Sequence, residues 1–566
     1  MSSARVHAGL LAVVIVVSGA LVWSVATPMP HIGGDNAGYI ALAHGLLTRG
    51  AYVEVFDPQG LPHTKYPPVF PGLLALLIAA GARTWAALKL SAAVPTVASA
   101  ALTFLWARPR LGALGAFAAA LLFSISAGVV YYSRWILSDP LFVAFTLLAL
   151  WAADRTSTES GTGPENRPGL RARWLGLAVA ATGLACFTRS AGLPLVLAFT
   201  GWLAWERRWR SLLTSGVVLC VPLLAWMTRG RGEGVAQYGS EFWLVDPYNP
   251  ALGTVGLGGL IGRAVGNVVT YAVQHGPAGV VGGAGERWLA VLGVALTVTA
   301  LAGWALRVRE RVGVAELFFP LYGGLIVLWP AVWGGDRFAL PLLPLVFVYG
   351  AAALAALGGR LAPLLRALLP GLAFAGLFAA AGLQWAHQVR ENRICAASIE
   401  AGGIWGCYPS PVPSFMAAAT WSAASLPEGA SVLTRKPRLF YLESGHPSRA
   451  FAFTDDPDAQ LALADRLGAR YVLLDRWDAL ASRYVAGAVR RRPDAFCWMA
   501  GFGRPEEGGA QLLGILAPEL RRGGGPADSD VTVGRCPDGY FRDGVRDREV
   551  DYSASGTIRL LDESGS

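Results

Sequence analysis

Charge is what this 566-residue sequence has least of. Asp, Glu, Lys and Arg make up 15% of it, against 54% hydrophobic residues, whereas soluble domains carry about 25% charged residues. That scarcity, with a mean hydropathy of +0.45, excludes a water-soluble globular protein and points to a polytopic membrane protein. The formal net charge of +9 does not imply a nucleic-acid partner. Its basic residues fall mostly in short clusters between apolar runs, where they orient helices across a bilayer. Motifs are missing too: no His/Cys cluster has zinc spacing, no glycine loop would cradle a phosphate, and no nucleophile elbow is present. Neither tandem repeats nor long low-complexity segments stand out.

Cysteine is also sparse. Cys186 and Cys220 lie in apolar runs and read as small core residues, while Cys395, Cys407, Cys497 and Cys536 follow the last apolar run. If that last region faces an oxidising compartment, proximity pairs 395 with 407 and 497 with 536, but sequence alone leaves the pairing open.

Apolar stretches able to cross a ~30 Å hydrocarbon core as helix occur near 8–26, 85–106, 111–132, 136–153, 174–188, 191–206, 211–228, 288–306, 314–333, 337–357 and 364–385. They predict about eleven transmembrane helices, the first retained rather than cleaved because no small-residue cleavage site follows it. The piece 69–81, bracketed by Pro67, Pro68 and Pro71, reads as re-entrant or interfacial. With a cytoplasmic amino terminus, Arg108 and Arg110, then Arg155, Arg167, Arg171 and Arg173, then Arg207, Arg208 and Arg210, then Arg307, Arg309 and Arg311, and finally Arg360 and Arg366 all lie inside. The same topology puts Asp35, the 229–285 loop and everything after about 386 outside.

Composition then shifts. Strands are expected at 431–435, 450–453 and 471–475, helices at 436–444, 456–468 and 477–490, and a hairpin at 496–516, with Asp456 capping the second helix. The predicted division is a transmembrane domain over 1–386 with a first outer loop at 27–84, an extracytoplasmic α/β domain over 387–520, and a polar, flexible tail over 521–566.

An ionisable residue at a membrane boundary is costly unless it faces water, a partner or a substrate. The stretch 31–71 concentrates Asp35, His44, Arg49, Glu54, Asp57, His63 and Lys65. Asp35 opens an amphipathic pattern in which Ile40, Ala43, Leu46 and Leu47 share a face, and it reads either as a catalytic carboxylate or as the cap of that helix. Asp139, before Pro140, has the same two readings. Lys65, held by Tyr66-Pro67-Pro68, suits a phosphate partner or an interfacial anchor. Arg134, Arg189 and Arg337 lie on the outer side, where one or two of them could neutralise a diphosphate or phosphate leaving group, with Asp336 placed to pair with Arg337. Tyr39 and His63 complete the candidate substrate contacts, although a lone histidine is more often a surface residue.

Several of these segments form an ordered set: GGDNAGYIALAHGLLTRGAY, KYPPVFPGLLALL, SRWILSDPLFVAFTLLAL, TRSAGLPLVLA, DRFALPLLPLVFVY, and the outer VLTRKPRLFYLESG with LGARYVLLD. The set resembles the GT-C superfamily of integral-membrane glycosyltransferases, most closely the bacterial branch similar to the aminoarabinose and protein mannosyltransferases. That resemblance implies a sugar moved from a polyprenyl-phosphate donor to a lipid, glycan or protein acceptor outside the cytoplasmic membrane. It implies Asp35 as general base, Asp139 as second acidic residue and Lys65 as phosphate contact, although KYPP stands where the family has KPP. The acidic metal signature of some members is absent from GGDN, so no metal is assigned. The competing readings are a lipid or sugar transporter, for which no repeated halves are visible, and a catalytically silent partner subunit of the same fold.

Overall fold

A computed structural model describes residues 3–156, 168–229, 238–283, 285–504, 507–521 and 533–543. Arg167 and the tail segments 522–532 and 544–566 lie outside the described residues.

Every expected apolar run is helical, but the runs are divided differently. Among the described residues, seven helices are long and apolar enough to cross a membrane: Ala4–Ser24, Trp85–Ile125, Gly169–Thr188, Trp209–Thr228, Trp288–Glu310, Asp336–Leu361 and Leu365–Gly402. Trp85–Ile125 carries two expected runs joined by a kink at Gly112, whose φ of 72° and ψ of 179° are open essentially to glycine alone. Ser190–Trp205 and Val314–Leu328 are shorter apolar helices. Asp139–Thr156 reaches 18 residues but includes Asp139, Asp154 and Arg155. The bundle closes on a core that includes Phe104, Phe123, Phe142, Phe199, Phe318 and Phe347. Val16, Leu114, Leu213, Val217, Val291 and Leu383 are exposed on its outside, as a lipid-facing belt requires.

The stretch read as an outer loop, 229–285, contains the helix Leu257–Thr270. Leu257, Ile261, Val265, Val268 and Val269 are exposed at spacings that put them on one stripe, the pattern of a helix lying in the headgroup plane. Four glycines within it hide the pattern by lowering helix propensity.

In the first outer loop the helix Gly34–Arg49 ends on Gly50, left-handed at φ 60°, and the helix Val69–Ala79 packs against it. The predicted one-sided amphipathic face is corrected here. Asn36 through Gly45 are buried on every side, while Leu47 is exposed, because the helix lies between other elements rather than on a surface.

Beyond the bundle, Leu365–Gly402 runs 38 residues, so the expected division at 386/387 falls inside one continuous helix. A Cys395–Cys407 disulfide secures its end, and the helix Pro411–Ser425, absent from the sequence reading, follows. The outer sheet contains β1 (Val432–Leu433), β2 (Ser448–Arg449), β3 (Tyr471–Leu474), β4 (Phe496–Phe502) and β5 (Ala510–Ile515) in the order β2-β1-β3-β5-β4. β1 runs parallel to β2 and β3, and the β4–β5 hairpin is antiparallel, as expected. Helices Pro437–Ser444 and Pro457–Leu467 connect the parallel strands, the latter capped by the Asp456 side chain on the Asp458 amide.

Three expectations are displaced. The strand placed at 450–453 is β2, two residues earlier, because pairing with β1 selects Ser448 and Arg449. The helix expected from 477 begins at Ala481 and continues as Ala486–Arg491, since Asp475 and Asp478 accept from the amides of Trp477 and Leu480 and hold the chain in turns. The tail expected to be flexible contains an ordered piece: residues 533–543 return to the sheet, where Cys536 is bonded to Cys497 and Tyr540 is buried.

One face of the sheet covers a core with Leu461, Ala464, Tyr484 and Val485. The other face shares a core with the first outer loop, in which Val432, Tyr471, Leu473 and Phe440 pack with Tyr39, Ile40, Phe56 and Phe70. Loop and outer domain are thus one hydrophobic unit sitting on the bundle.

Candidate active site

Asp35 lies in the first turn of Gly34–Arg49, where the partial positive charge of a helix start favours a carboxylate. It is not the cap: that position is Gly33, and no side chain caps the helix. One Asp35 oxygen accepts from the Tyr66 hydroxyl at 2.7 Å. The other is 2.9 Å from the Arg337 guanidinium. Tyr66 in turn accepts from Arg438 Nη1 at 2.6 Å, so a side chain from the outer domain reaches the membrane-side carboxylate through one phenol. Burial would raise the Asp35 carboxyl, but Arg337, the Tyr66 hydroxyl and Arg438 outweigh it and hold it well below the usual carboxylate range. At neutral pH it is therefore ionised and 28% exposed.

The second acid stands one link away. Tyr39, a turn along the helix from Asp35, bonds Ser138 at 2.8 Å, and its ring packs on Tyr66 at 4.8 Å. Ser138 also accepts from Arg189, whose guanidinium pairs with buried Asp139 at 2.6 Å. Asp139 does begin a helix, but its carboxylate is occupied by Arg189. Arg189 and Arg337 both lie over the Phe338 ring, at 5.3 and 4.9 Å. The expected Asp336–Arg337 pair is not made: Asp336 instead accepts from the Tyr132 hydroxyl at 2.7 Å.

Lys65 Nζ is 2.5 Å from Glu241 and 5.9 Å from the Tyr238 ring centroid. It is thus ion-paired beside the Tyr238 ring. His63 is buried and used at both nitrogens: Nδ1 bonds Glu54 at 2.8 Å and Nε2 accepts the Tyr66 amide at 2.7 Å. With the acceptor nitrogen thus assigned the ring is neutral, as its burial favours, and it fixes the Lys65-Tyr66 turn rather than presenting a free nitrogen to substrate. Arg134 stands apart, stacked between Tyr131 and Trp135 at 4.7 and 4.9 Å. His31 holds this side together through the Gly33 amide and Asn36, while Asn36 accepts from the Ile136 amide.

The structure thus assembles Asp35, Tyr39, Lys65, Asp139, Arg189 and Arg337, uses His63 as a brace, and leaves Arg134 to the side. The sequence reading missed Tyr66, Arg438, Tyr238 and Glu241. Tyr66 was legible only as part of KYPP. Arg438 sits in an outer helix where arginine carries no membrane penalty, so nothing in the sequence singles it out. Among the described residues, no three His, Cys, Asp or Glu side chains converge as a metal site would require.

Residues 65–228 match the family model described as dolichyl-phosphate-mannose-protein mannosyltransferase. No curated protein matches the sequence. The structure is similar to ArnT from Cupriavidus metallidurans in the apo state, with TM-score 0.55 and 13% identity over 93% of this chain and 100% of that one. Similarity to ArnT bound to undecaprenyl phosphate has TM-score 0.53, with the same identity and coverage. The archaeal oligosaccharyltransferase AglB from Archaeoglobus fulgidus, in complex with an inhibitory peptide and a dolichol-phosphate, matches with TM-score 0.52 and 15% identity over 89% of this chain and 74% of that one. In fold, then, the chain is similar to these integral-membrane glycosyltransferase structures, and over residues 65–228 its sequence is similar to the mannosyltransferase family.

Proposed function

We propose that this protein transfers a sugar from a polyprenyl-phosphate-linked donor to an envelope acceptor on the outer face of the cytoplasmic membrane. The observation that carries the reading is an ionised carboxylate, Asp35, set among cations at the junction of spanning helices and outer domain. A sugar phosphoester carries its own leaving group, so catalysis needs a base at the acceptor hydroxyl and positive charge at the departing phosphate. Asp35 orients that hydroxyl and takes its proton as the glycosidic bond forms. The phosphate leaves with the bonding electrons of the broken sugar–oxygen bond, and Arg337 and Lys65 receive its charge.

Each cation now rests on a carboxylate: Arg337 on Asp35, Lys65 on Glu241, Arg189 on Asp139. Arg438 is the exception, its one hydrogen bond among the described residues going to a neutral phenol, so it can take a phosphate without breaking an ion pair. When the donor draws Arg337 away, Asp35 loses its strongest acidifying neighbour and becomes the better base. Asp139 keeps Arg189 and Ser138 in place. The relatives bound to undecaprenyl phosphate and dolichol-phosphate support the donor class, and the arginine clusters support a cytoplasmic amino terminus.

The test is transfer of labelled sugar from crude bacterial polyprenyl-phosphate donors into envelope fractions. Wild type should label an acceptor, and Asp35→Asn should lose roughly 10²–10⁴-fold in rate with normal membrane insertion. Equal labelling by both proteins would remove Asp35 as base. Lipid binding without transfer by either would favour a transporter or a silent subunit.

A further inference from the structure

At one end of its sheet the outer domain carries polar groups that the reaction described above does not use. The connection leaving β1 goes to β2 on one side of the sheet, and the connection leaving β3 goes to β4 on the other. The gap between the carboxyl ends of β1 and β3 is therefore a topological switch point, where open α/β sheets bind ligands. Residues 434–436 and 475–478 line it. Val432 pairs with Tyr471 across the two strands, and both belong to the core shared with the first loop. Continuing the two-residue alternation puts Thr434, Lys436 and Asp475 on that same face, toward the reaction centre. Two residues beyond Lys436, Arg438 already touches the Tyr66–Asp35 pair, and Lys436 itself lies within electrostatic reach of Asp35.

What singles out this end of the sheet is unmet bonding capacity. Asp475 is 0% exposed. Its Oδ1 accepts the Trp477 amide at 2.9 Å, but Oδ2 has no partner among the described residues, and neither has the hydroxyl of equally buried Thr434. A buried carboxylate oxygen without a donor is costly. Burial pushes the Asp475 carboxyl up to about 6, with Asp478 adding to the rise and the Trp477 amide, Arg435 and Lys436 opposing it. Opposite it, Lys436 Nζ stands 5.4 Å from the centroid of the Trp477 ring, and an Arg435–Asp478 ion pair of 2.6 Å closes the rim.

We infer that this switch point is the acceptor subsite and that it takes a sugar: Asp475 Oδ2 accepts one ring hydroxyl, Lys436 donates to the same or the neighbouring one, and Trp477 offers an apolar face to the ring. The inference rests on the glycosyl-transfer reading for the word acceptor, since the lipid-linked donor enters from the bilayer and the outer domain covers the opposite side of Asp35. A carboxylate and an ammonium placed together match adjacent hydroxyls, which a sugar presents and a lone Ser or Thr does not.

Saturation-transfer NMR on the purified full chain tests it without requiring turnover. The probes are methyl α-mannopyranoside, methyl β-galactopyranoside and methyl β-arabinofuranoside, with the tripeptide Ala-Thr-Ala as the protein-like control. At least one glycoside should receive saturation from wild type. Asp475→Asn, which keeps Oδ1 for the Trp477 amide, and Lys436→Gln should each weaken that binding roughly 10–100-fold while undecaprenyl-phosphate binding is unchanged. No saturation of any glycoside, equal saturation with the variants, or saturation of the tripeptide alone would each overturn the inference. Because the readout is binding, failure of the transfer assay leaves it interpretable; where transfer is measurable, the variants should raise the acceptor KM and leave the donor KM alone.

Discussion

At the scale of the residue, the site is governed by which cation each carboxylate holds. Asp35 is kept ionised by Arg337, Tyr66 and Arg438 against its own burial. Its folded-state pKa lies below the unfolded value, so the stability it contributes is present above about pH 4 and is lost only as pH falls through the folded value. The acid limb of kcat/KM should accordingly show no Asp35 titration between roughly pH 5 and 8. Arg337→Gln removes the strongest opposing charge and should raise the Asp35 pKa by about 1–3 units, moving an acid limb toward the assay range; a pH–rate profile checks this. The charged members of the site were legible because each interrupts the end of an apolar run. Tyr66 was not, since a tyrosine at an interface is ordinary, and its role arises only when Asp35 and Arg438 converge on its hydroxyl. His63 shows the converse: an evident candidate in sequence, it is spent on Glu54 and the Tyr66 amide.

At the scale of the element, hydropathy located the helices and misjudged where they stop. It cannot register a backbone break such as Gly112, nor a helix that leaves the bilayer without ending, as Leu365–Gly402 does. The Gly-rich Leu257–Thr270 escaped for a different reason, its four glycines lowering helix propensity and hiding the exposed apolar stripe. Gly112→Ala forces a side chain into the glycine-only region and should cost about 1–3 kcal/mol, seen as a lower midpoint in thermal unfolding of the purified protein. The disulfides fall where sequence proximity suggested, Cys395 with Cys407 and Cys497 with Cys536, leaving Cys186 and Cys220 free. Denatured, unreduced protein should therefore bind two equivalents of a maleimide and reduced protein six, counted by mass spectrometry.

At the scale of the whole molecule, the outer domain and the first loop are joined around the proposed site. The Ser448 amide donates to the Phe56 carbonyl at 2.6 Å, Arg449 pairs with Asp57 at 3.0 Å, and one apolar core spans both parts. Truncation after Gly402 should strip that core, exposing Tyr39, Phe56 and Phe70, and should abolish transfer and monodispersity together; gel filtration beside the transfer assay reads both. The sequence disclosed two regions of different composition but not their fusion, because the contacts join residues about 390 positions apart. That separation matters during synthesis. Asp35 and Tyr66 are made early and Arg438 late, so at about 5–20 residues per second the first loop waits roughly 20–80 s for its partner. A nascent chain still threading into the membrane therefore carries the carboxylate without Arg438, and the proposed site is complete only once the outer domain has emerged.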